Sequence, residues 1–267
     1  IDLGSDQIVP LKEARIVLVV GDGVSPYSAG SLWHLLDVWQ DYPVTLVDMK
    51  QLERMPLAKY TAIILPHTWG SGLSDSLGNT LSDFVRGGGT LACFGGAAAW
   101  AAGLDWVELK LMEKKVPADS KDSGEAEPPS SERRSFANAA DDNALQQIRG
   151  AIFQAEADLT HPLLFGYIRE SLPVFVSGTR FLAPSPNRYQ TPLAFPEDPL
   201  LAGYASQENL QAISGAAAAT VHTHGTGAVI LFGIDPVFRA YWRGTEKLVL
   251  NALLFGPHMQ ARDPGGY

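Results

Sequence analysis

The sequence has little of several features that mark particular classes of protein. It contains one cysteine, Cys93, so a disulfide within the chain is excluded. No apolar run reaches the roughly 18 residues of a membrane-spanning helix, and we expect no membrane contact. Lys and Arg total 20 against 29 Asp and Glu, which gives a net charge of −9. Because such a chain repels phosphates, the composition disfavours nucleic acid as a partner.

The common motifs of metal, nucleotide and serine chemistry are also missing. There is no His-x-x-Glu, His-Glu-x-x-His or Cys-x-x-Cys spacing, and no Gly-x-Ser-x-Gly. Gly21-Asp22-Gly23 resembles the start of a dinucleotide fingerprint, but Pro26 stands where the third glycine is needed. We therefore expect no metal site and no cofactor within these residues.

The first half of the chain alternates between strand and helix patterns. Apolar, β-branched runs predict strands, and Ser25-Pro26 predicts the start of a helix. Alternation at this spacing is typical of an α/β fold with a doubly wound, mostly parallel sheet. The predicted strands are residues 14–22, 43–49, 60–65 and 90–94, and the predicted helices are residues 26–39 and 73–85.

The second half of the chain is richer in strands. Residues 217–224 and 228–235 flank a three-residue turn, which predicts an antiparallel hairpin. Further strands are predicted at residues 151–157, 173–175, 180–182 and 190–195, and a closing helix at residues 245–254. We therefore expect one domain over residues 1–256, a flavodoxin-like three-layer sandwich with extra antiparallel strands. Residues 114–143 have the composition of a polar insertion, and residues 257–267 that of a tail.

The segment RGGGTLACFGGAAAWAA, residues 86–102, has the layout of a nucleophile elbow. A short apolar strand meets a sharp corner at Gly95-Gly96, and an alanine-rich helix follows. This interpretation puts Phe94 at the elbow position, where a benzyl group cannot act as a nucleophile. Strand alternation points Cys93 to the opposite side, so we expect a buried, inert thiol.

Ligands of open α/β sheets usually bind beyond the carboxyl ends of the strands. We therefore expect a shallow pocket there, lined by Asp22, Gly23, His67, Thr68, Trp69, Phe94, Gly95 and Gly96. Four aromatic residues near predicted strand ends either line this pocket, form an interface or pack in the core: Trp69, Trp100, Tyr241 and Trp242.

Two pairs of residues that contain histidine each allow more than one interpretation. His222 and His224 share one face of a predicted strand, which suits a metal site or, in the favoured interpretation, an exposed or hydrogen-bonded pair. His34 and Asp37 lie three apart on a predicted helix, where a local hydrogen bond is expected.

The elbow segment, the order of elements and the strand GAVILFGIDP at residues 227–236 together resemble a class I glutamine amidotransferase-like domain. That resemblance implies a flavodoxin-like fold, and active members carry a Cys–His–Glu triad in Gly-x-Cys-x-Gly and His-Pro-Glu motifs. Here the corresponding positions are Phe94, Asp235 and Val237, and all three depart from the pattern. A slip of one residue would bring Cys93 to the elbow, but Gly95-Gly96 would then be out of step and no histidine would follow.

A closer resemblance covers most of the chain. GDGVSPYSAGSLWHLLD, GGGTLACFGGAAAWAA and FRAYWRGTEKLVLNALLFGP are similar to the C-terminal domain of bacterial zinc carboxypeptidases of the carboxypeptidase A superfamily. The resemblance implies a non-catalytic accessory domain whose partner is a zinc-binding peptidase domain upstream in the same chain. It also implies a periplasmic or extracellular location, and a homo-oligomer is possible.

The chain opens at Ile1, and we interpret it as a piece of a longer protein whose zinc lies upstream. Two other functions stay open. One is a small-molecule-binding domain that uses the strand-end cleft. The other is a hydrolase that combines His67 with Asp22 or Asp235 in the same cleft.

Overall fold

The computed structural model describes residues 10–11, 13–70, 72–112, 135–138, 145 and 147–259. Within these residues the strands form one sheet: β1 (Ile16–Val20), β2 (Val44–Asp48), β3 (Ala62–Leu65), β4 (Thr90–Phe94), β5 (Ile148–Ala157), β6 (Ser171–Gly178), β7 (Leu193–Ala194), β8 (Leu200–Ala202), β9 (Ala217–His224) and β10 (Gly227–Phe232). The α-helices are α1 (Pro26–Trp33), α2 (Met49–Leu52), α3 (Asp75–Arg86), α4 (Gly96–Ala102), α5 (Gln207–Ile213) and α6 (Glu246–Phe255).

The sheet has the order β2-β1-β3-β4-β10-β9-β7-β5-β6, with β8 paired to β5. Its first five strands are parallel and follow the flavodoxin order. From β9 onward the neighbours pair antiparallel. The flavodoxin-like fold with extra antiparallel strands in the second half is therefore confirmed.

Both faces of β1, β3, β4 and β10 are buried, which explains why these strands are continuous apolar runs, whereas the edge strand β2 is partly exposed. Alternate residues of β1 belong to two separate hydrophobic cores. Ile16 and Leu18 pack on the face covered by α1 and α6. Val17 and Val19 pack on the face covered by α2, α3 and α4. The sheet and its two helical layers thus form the expected three-layer sandwich.

The first helix differs from its prediction. It is an α-helix only to Trp33, and the six residues His34–Trp39 continue as a π-helix, with the Gln40 N–H donating to the Leu35 oxygen at 3.1 Å. The extra residue per turn shifts the side chains around the axis. Leu35 is buried, whereas Trp39, four residues later and on the same face of a regular α-helix, is 54% exposed.

Other differences lie in the second half. Residues 180–182 form no strand, although Leu182 makes isolated bridges to Leu111 and Ala217. The sequence patterns missed β8 and α5. Most of the insertion at residues 114–143 lies outside the described residues. Its described part, residues 135–138, contains a 3-10 turn at Phe136–Asn138. Among the described helices, none is long and apolar enough to cross a membrane.

Candidate functional site

The strand-to-helix turn after β4 has the backbone of a nucleophile elbow, with its apex at Gly95. Gly95 has φ 53° and ψ −116° and caps the start of α4. A positive φ with this ψ is strained for any residue with a side chain, and the reactive residue of an elbow sits on such a turn. Gly95 has no side chain, so the apex presents no reactive group.

This apex lies one residue later than the sequence pattern predicts. Phe94 still belongs to β4, because it pairs with Phe232 in the ladder to β10. Its ring stacks on the Phe232 ring, with centroids 4.8 Å apart, and Phe94 is only 4% exposed. The assignment of Phe94 to the elbow apex was therefore wrong, because the parallel ladder carries the strand through that residue.

The imidazole of His67 occupies the space that a side chain at the apex would need. A Cβ built on Gly95 would lie 2.4 Å from His67 Nδ1, too close for any real contact. The same Nδ1 accepts a hydrogen bond from the Gly96 N–H at 3.0 Å. In active elbows the N–H of the residue after the nucleophile helps to bind the oxyanion. Here that donor is already engaged by His67.

The position of His67 is fixed by its surroundings. Its backbone N–H donates to Ser28 Oγ at 3.1 Å, and its carbonyl accepts from the Ser25 N–H at 2.8 Å. Burial, and next the positive charge of Arg180, hold the pKa of His67 below its ordinary value. A neutral ring with an unprotonated Nδ1 is what the Gly96 hydrogen bond requires.

Cys93 lies on the other side of the sheet from Phe94, in the core beneath α3 and α4. It is fully buried, and burial raises the pKa of its thiol far above the ordinary range. The prediction that Cys93 is buried is confirmed.

A cleft of about 740 Å³ surrounds the elbow at the carboxyl ends of the parallel strands. Four of the predicted pocket residues line it: His67, Phe94, Gly95 and Gly96. The remaining four do not line it. Asp22 is exposed and pairs with Lys50 at 2.6 Å, beside Gly23. Thr68 is buried, and Trp69 is 65% exposed with its ring edge-on to His67.

The two other positions of the expected triad lie after β10. Asp235 lines the cleft, and its Oδ1 accepts from the Val237 N–H at 3.2 Å. Burial raises the pKa of Asp235 to about 6. Val237 is buried in the core and contributes no chemistry. Asp235 and His67 thus share the cleft, while Asp22 is held outside it.

Several lining residues come from parts of the chain that no sequence pattern connects with the pocket. Arg149 lies on β5, Arg180 follows β6, and Arg239 lies in the 3-10 turn Phe238–Ala240 after β10. No local sequence pattern indicates that these arginines line the pocket. Antiparallel pairing in the second half of the sheet brings β5 and β6 to the cleft.

The histidine pairs do not form a metal site, and the described residues contain no group of three or more His, Cys, Asp or Glu that could hold an ion. His222 is 5% exposed and its Nε2 has no partner, whereas His224 Nε2 lies 2.8 Å from Ser82 Oγ. Among the residues that the structure describes, His34 and Asp37 do not form the predicted hydrogen bond. The His34 ring instead lies 6.1 Å from the Trp39 ring, and its Nδ1 has no partner.

A larger cavity, of about 1110 Å³, lies at the opposite edge of the sheet. It is lined by residues that precede the strands, among them Arg15, Thr61 and Gly89. Because open α/β sheets bind ligands at the carboxyl ends of their strands, the cleft at the elbow is the candidate site.

Solved structures identify the class of fold. A ThuA-like protein from Parabacteroides merdae is similar with a TM-score of 0.58 at 12% identity, over 96% of this chain and 95% of that one. A chain in the structure of PurLQS from Thermotoga maritima has a TM-score of 0.57 at 11% identity, over 91% and 98%. A glutamine amidotransferase from Thermotoga maritima has a TM-score of 0.51 at 8% identity, over 91% and 96%.

The fold is therefore that of glutamine amidotransferase-like and ThuA-like proteins, as the resemblance of the elbow segment implied. At these identities the similarity defines the fold alone. No protein-family model matches the chain, and no curated protein matches it.

Proposed function

We propose that this chain is a non-catalytic domain with an amidotransferase-like fold, and that it serves as an accessory domain of a secreted bacterial zinc carboxypeptidase. The observation that carries the non-catalytic part is the elbow. Its apex is Gly95, its oxyanion donor is bonded to His67, and the one thiol is buried on the far side of the sheet.

The accessory role rests on the sequence motifs that resemble the C-terminal domain of those carboxypeptidases. The first motif, residues 21–37, and the last, residues 238–257, meet in space, because α1 packs against the turn Phe238–Ala240. Their junction includes the Arg243 guanidinium, which lies 3.4 Å from the centre of the Trp39 ring. Tyr27 in the first motif and Tyr241 in the last are also exposed, and aromatic rings are enriched where domains pack.

The expected zinc, partner domain and location of this chain follow from the proposed parent protein. The catalytic zinc would belong to the peptidase domain upstream in the same chain, and this domain would pack against it. Parent proteins of this kind are exported, which would put the domain in the periplasm or outside the cell.

The absence of catalysis is tested with the purified chain. We expect no hydrolysis of glutamine or of p-nitrophenyl esters above the buffer rate, measured by ammonia release and by absorbance. His67→Ala, which frees the Gly96 N–H, should leave that result unchanged. Turnover by the natural chain that His67→Ala abolishes would contradict the proposal and favour the hydrolase alternative.

The parentage is tested at the level of the gene. The coding sequence upstream of Ile1 is expected to contain His-x-x-Glu and a later histidine, the ligand set of a zinc carboxypeptidase. An upstream region that encodes no such spacing would rule out the carboxypeptidase part and leave the non-catalytic part standing.

A further inference from the structure

The cleft at the elbow has the size of a small-molecule site. Its volume of about 740 Å³ falls within the range of roughly 300–1,000 Å³ that such sites occupy. The elbow itself offers no reactive group there. A cleft without a nucleophile can still bind, so its lining decides what it would accept.

The charge of the lining is opposite to that of the chain. Three arginines from separate segments, Arg149, Arg180 and Arg239, face the cleft, and Asp235 is the one acidic residue among the lining residues that the structure describes. The whole chain carries a net charge of −9. In the described part of the chain, none of these arginines forms an ion pair, and the ion pairs found there are Lys50–Asp22 and Arg243–Glu246.

Arg239 is held in place by its neighbours. Its guanidinium lies 5.3 Å from the centre of the Phe238 ring, and that ring stacks on Phe175 with centroids 3.6 Å apart. Its backbone has a φ of 50°, which costs free energy in a residue with a side chain. Stacking orders an arginine while its N–H donors stay available to a ligand in the plane of the guanidinium.

Arg180 faces the elbow side of the same cleft. The positive charge of Arg180 interacts with His67 and helps to lower the pKa of the imidazole. The first turn of α1 borders this side through Tyr27 and Ser28, and the Ser28 N–H is already capped by Ser25 Oγ. Hydroxyl donors of Ser177 and Thr179 complete the lining.

We propose that this cleft binds a small molecule through an oxyanion, a carboxylate or a phosphate, held by Arg149, Arg180 and Arg239. Guanidinium groups match the planar, two-oxygen edge of both groups, and uncharged donors add orientation. The proposal depends on the cleft and not on the accessory role, so either can fail without the other.

The test is calorimetric titration of the 267-residue chain at constant ionic strength, with citrate and inorganic phosphate as probes and glucose as the neutral control. We expect saturable binding of at least one anion, none of glucose, and a higher melting temperature with the bound anion. Arg180→Gln and Arg149→Gln should each weaken that binding about tenfold or more, since each removes charge-assisted hydrogen bonds.

Arg169→Gln is the matched control, because Arg169 is exposed and does not line the cleft. It should leave the affinity unchanged. Binding of citrate alone assigns the site to carboxylates, and binding of phosphate alone assigns it to phosphates. The proposal is overturned if neither anion binds, or if Arg169→Gln weakens binding as much as the cleft variants do. Far-ultraviolet circular dichroism checks that each variant is folded, and Arg239→Gln replaces any that is not.

Discussion

Gly95 is the residue on which the geometry of the elbow depends. Its backbone keeps the strained turn of a catalytic elbow, while its missing side chain leaves room for the His67 ring. Any side chain at the apex would have to displace that ring and break its hydrogen bond to Gly96. A reactive apex and the present position of His67 therefore exclude each other.

We expect Gly95→Ala to destabilise the fold by roughly 2–4 kcal/mol, because a strained φ and the loss of the His67 hydrogen bond add together. Gly215→Ala is the matched control, since Gly215 also has a positive φ, 71°, but no atom within 4 Å of its Cβ position. That control should lose only about 1–2 kcal/mol. Urea denaturation gives both values.

Equal losses in the two glycine variants would show that the His67 ring does not restrict the apex. The double variant Gly95→Ala with His67→Ala provides an independent check. Without the imidazole in the way, it should be less destabilised than the sum of the two single changes.

At the scale of the elements, the ladder between β4 and β10 joins the elbow to the strand that precedes Asp235. Phe94 and Phe232 are register partners at the end of this ladder, and their rings lie nearly parallel, at 10°. Both rings are buried, and Phe94 also lines the cleft, so their contact supports part of the cleft lining.

Phe94→Ala should lower the free energy of unfolding by about 3–5 kcal/mol, because it leaves a cavity against Phe232. Phe136→Ala, at a residue that is 93% exposed, should change it by less than about 0.5 kcal/mol. Chemical denaturation of the two variants measures the contrast. A Phe94→Ala protein as stable as the natural chain would mean that the stack does not support the cleft.

At the scale of the whole molecule, a buried histidine and a half-buried aspartate make stability depend on pH in opposite directions. Burial lowers the pKa of His222 to about 4 and raises the pKa of Asp235 to about 6. In the unfolded chain these groups titrate near about 6.5 and 3.9. As the pH falls from about 6.5 to 4, the unfolded state gains the proton of His222 and stability is lost. Over nearly the same window the folded state gains the proton of Asp235, and stability rises.

The two contributions, each on the order of 3 kcal/mol, should largely offset in the natural chain. Between pH 7 and pH 4.5 we therefore expect Asp235→Asn to lose more stability than the natural chain, and His222→Leu to lose less. Asp198→Asn, at an exposed position, is the control for a changed carboxyl. Urea denaturation at the two pH values tests this. The assignment fails if both variants follow the natural chain's pH dependence.

The sequence by itself determined the parallel half of the fold. Runs such as β1 and β3 are apolar on both faces, so they can be stable only between two layers of helix. The strand β4 was predicted with its observed bounds, as was the burial of Cys93, because both follow from local alternation. The absence of an orthodox triad could also be predicted, since it depends on residue types and not on geometry.

The tertiary structure alone decided the rest. The apex lies at Gly95 and not at Phe94 because pairing to β10, a strand more than a hundred residues away, sets where β4 ends. The π-helix turns Trp39 outward, which no periodicity indicates. The arginines of the cleft come from β5, from the residues after β6 and from the turn after β10. The sheet topology brings these arginines together. Their spacing along the sequence does not predict it.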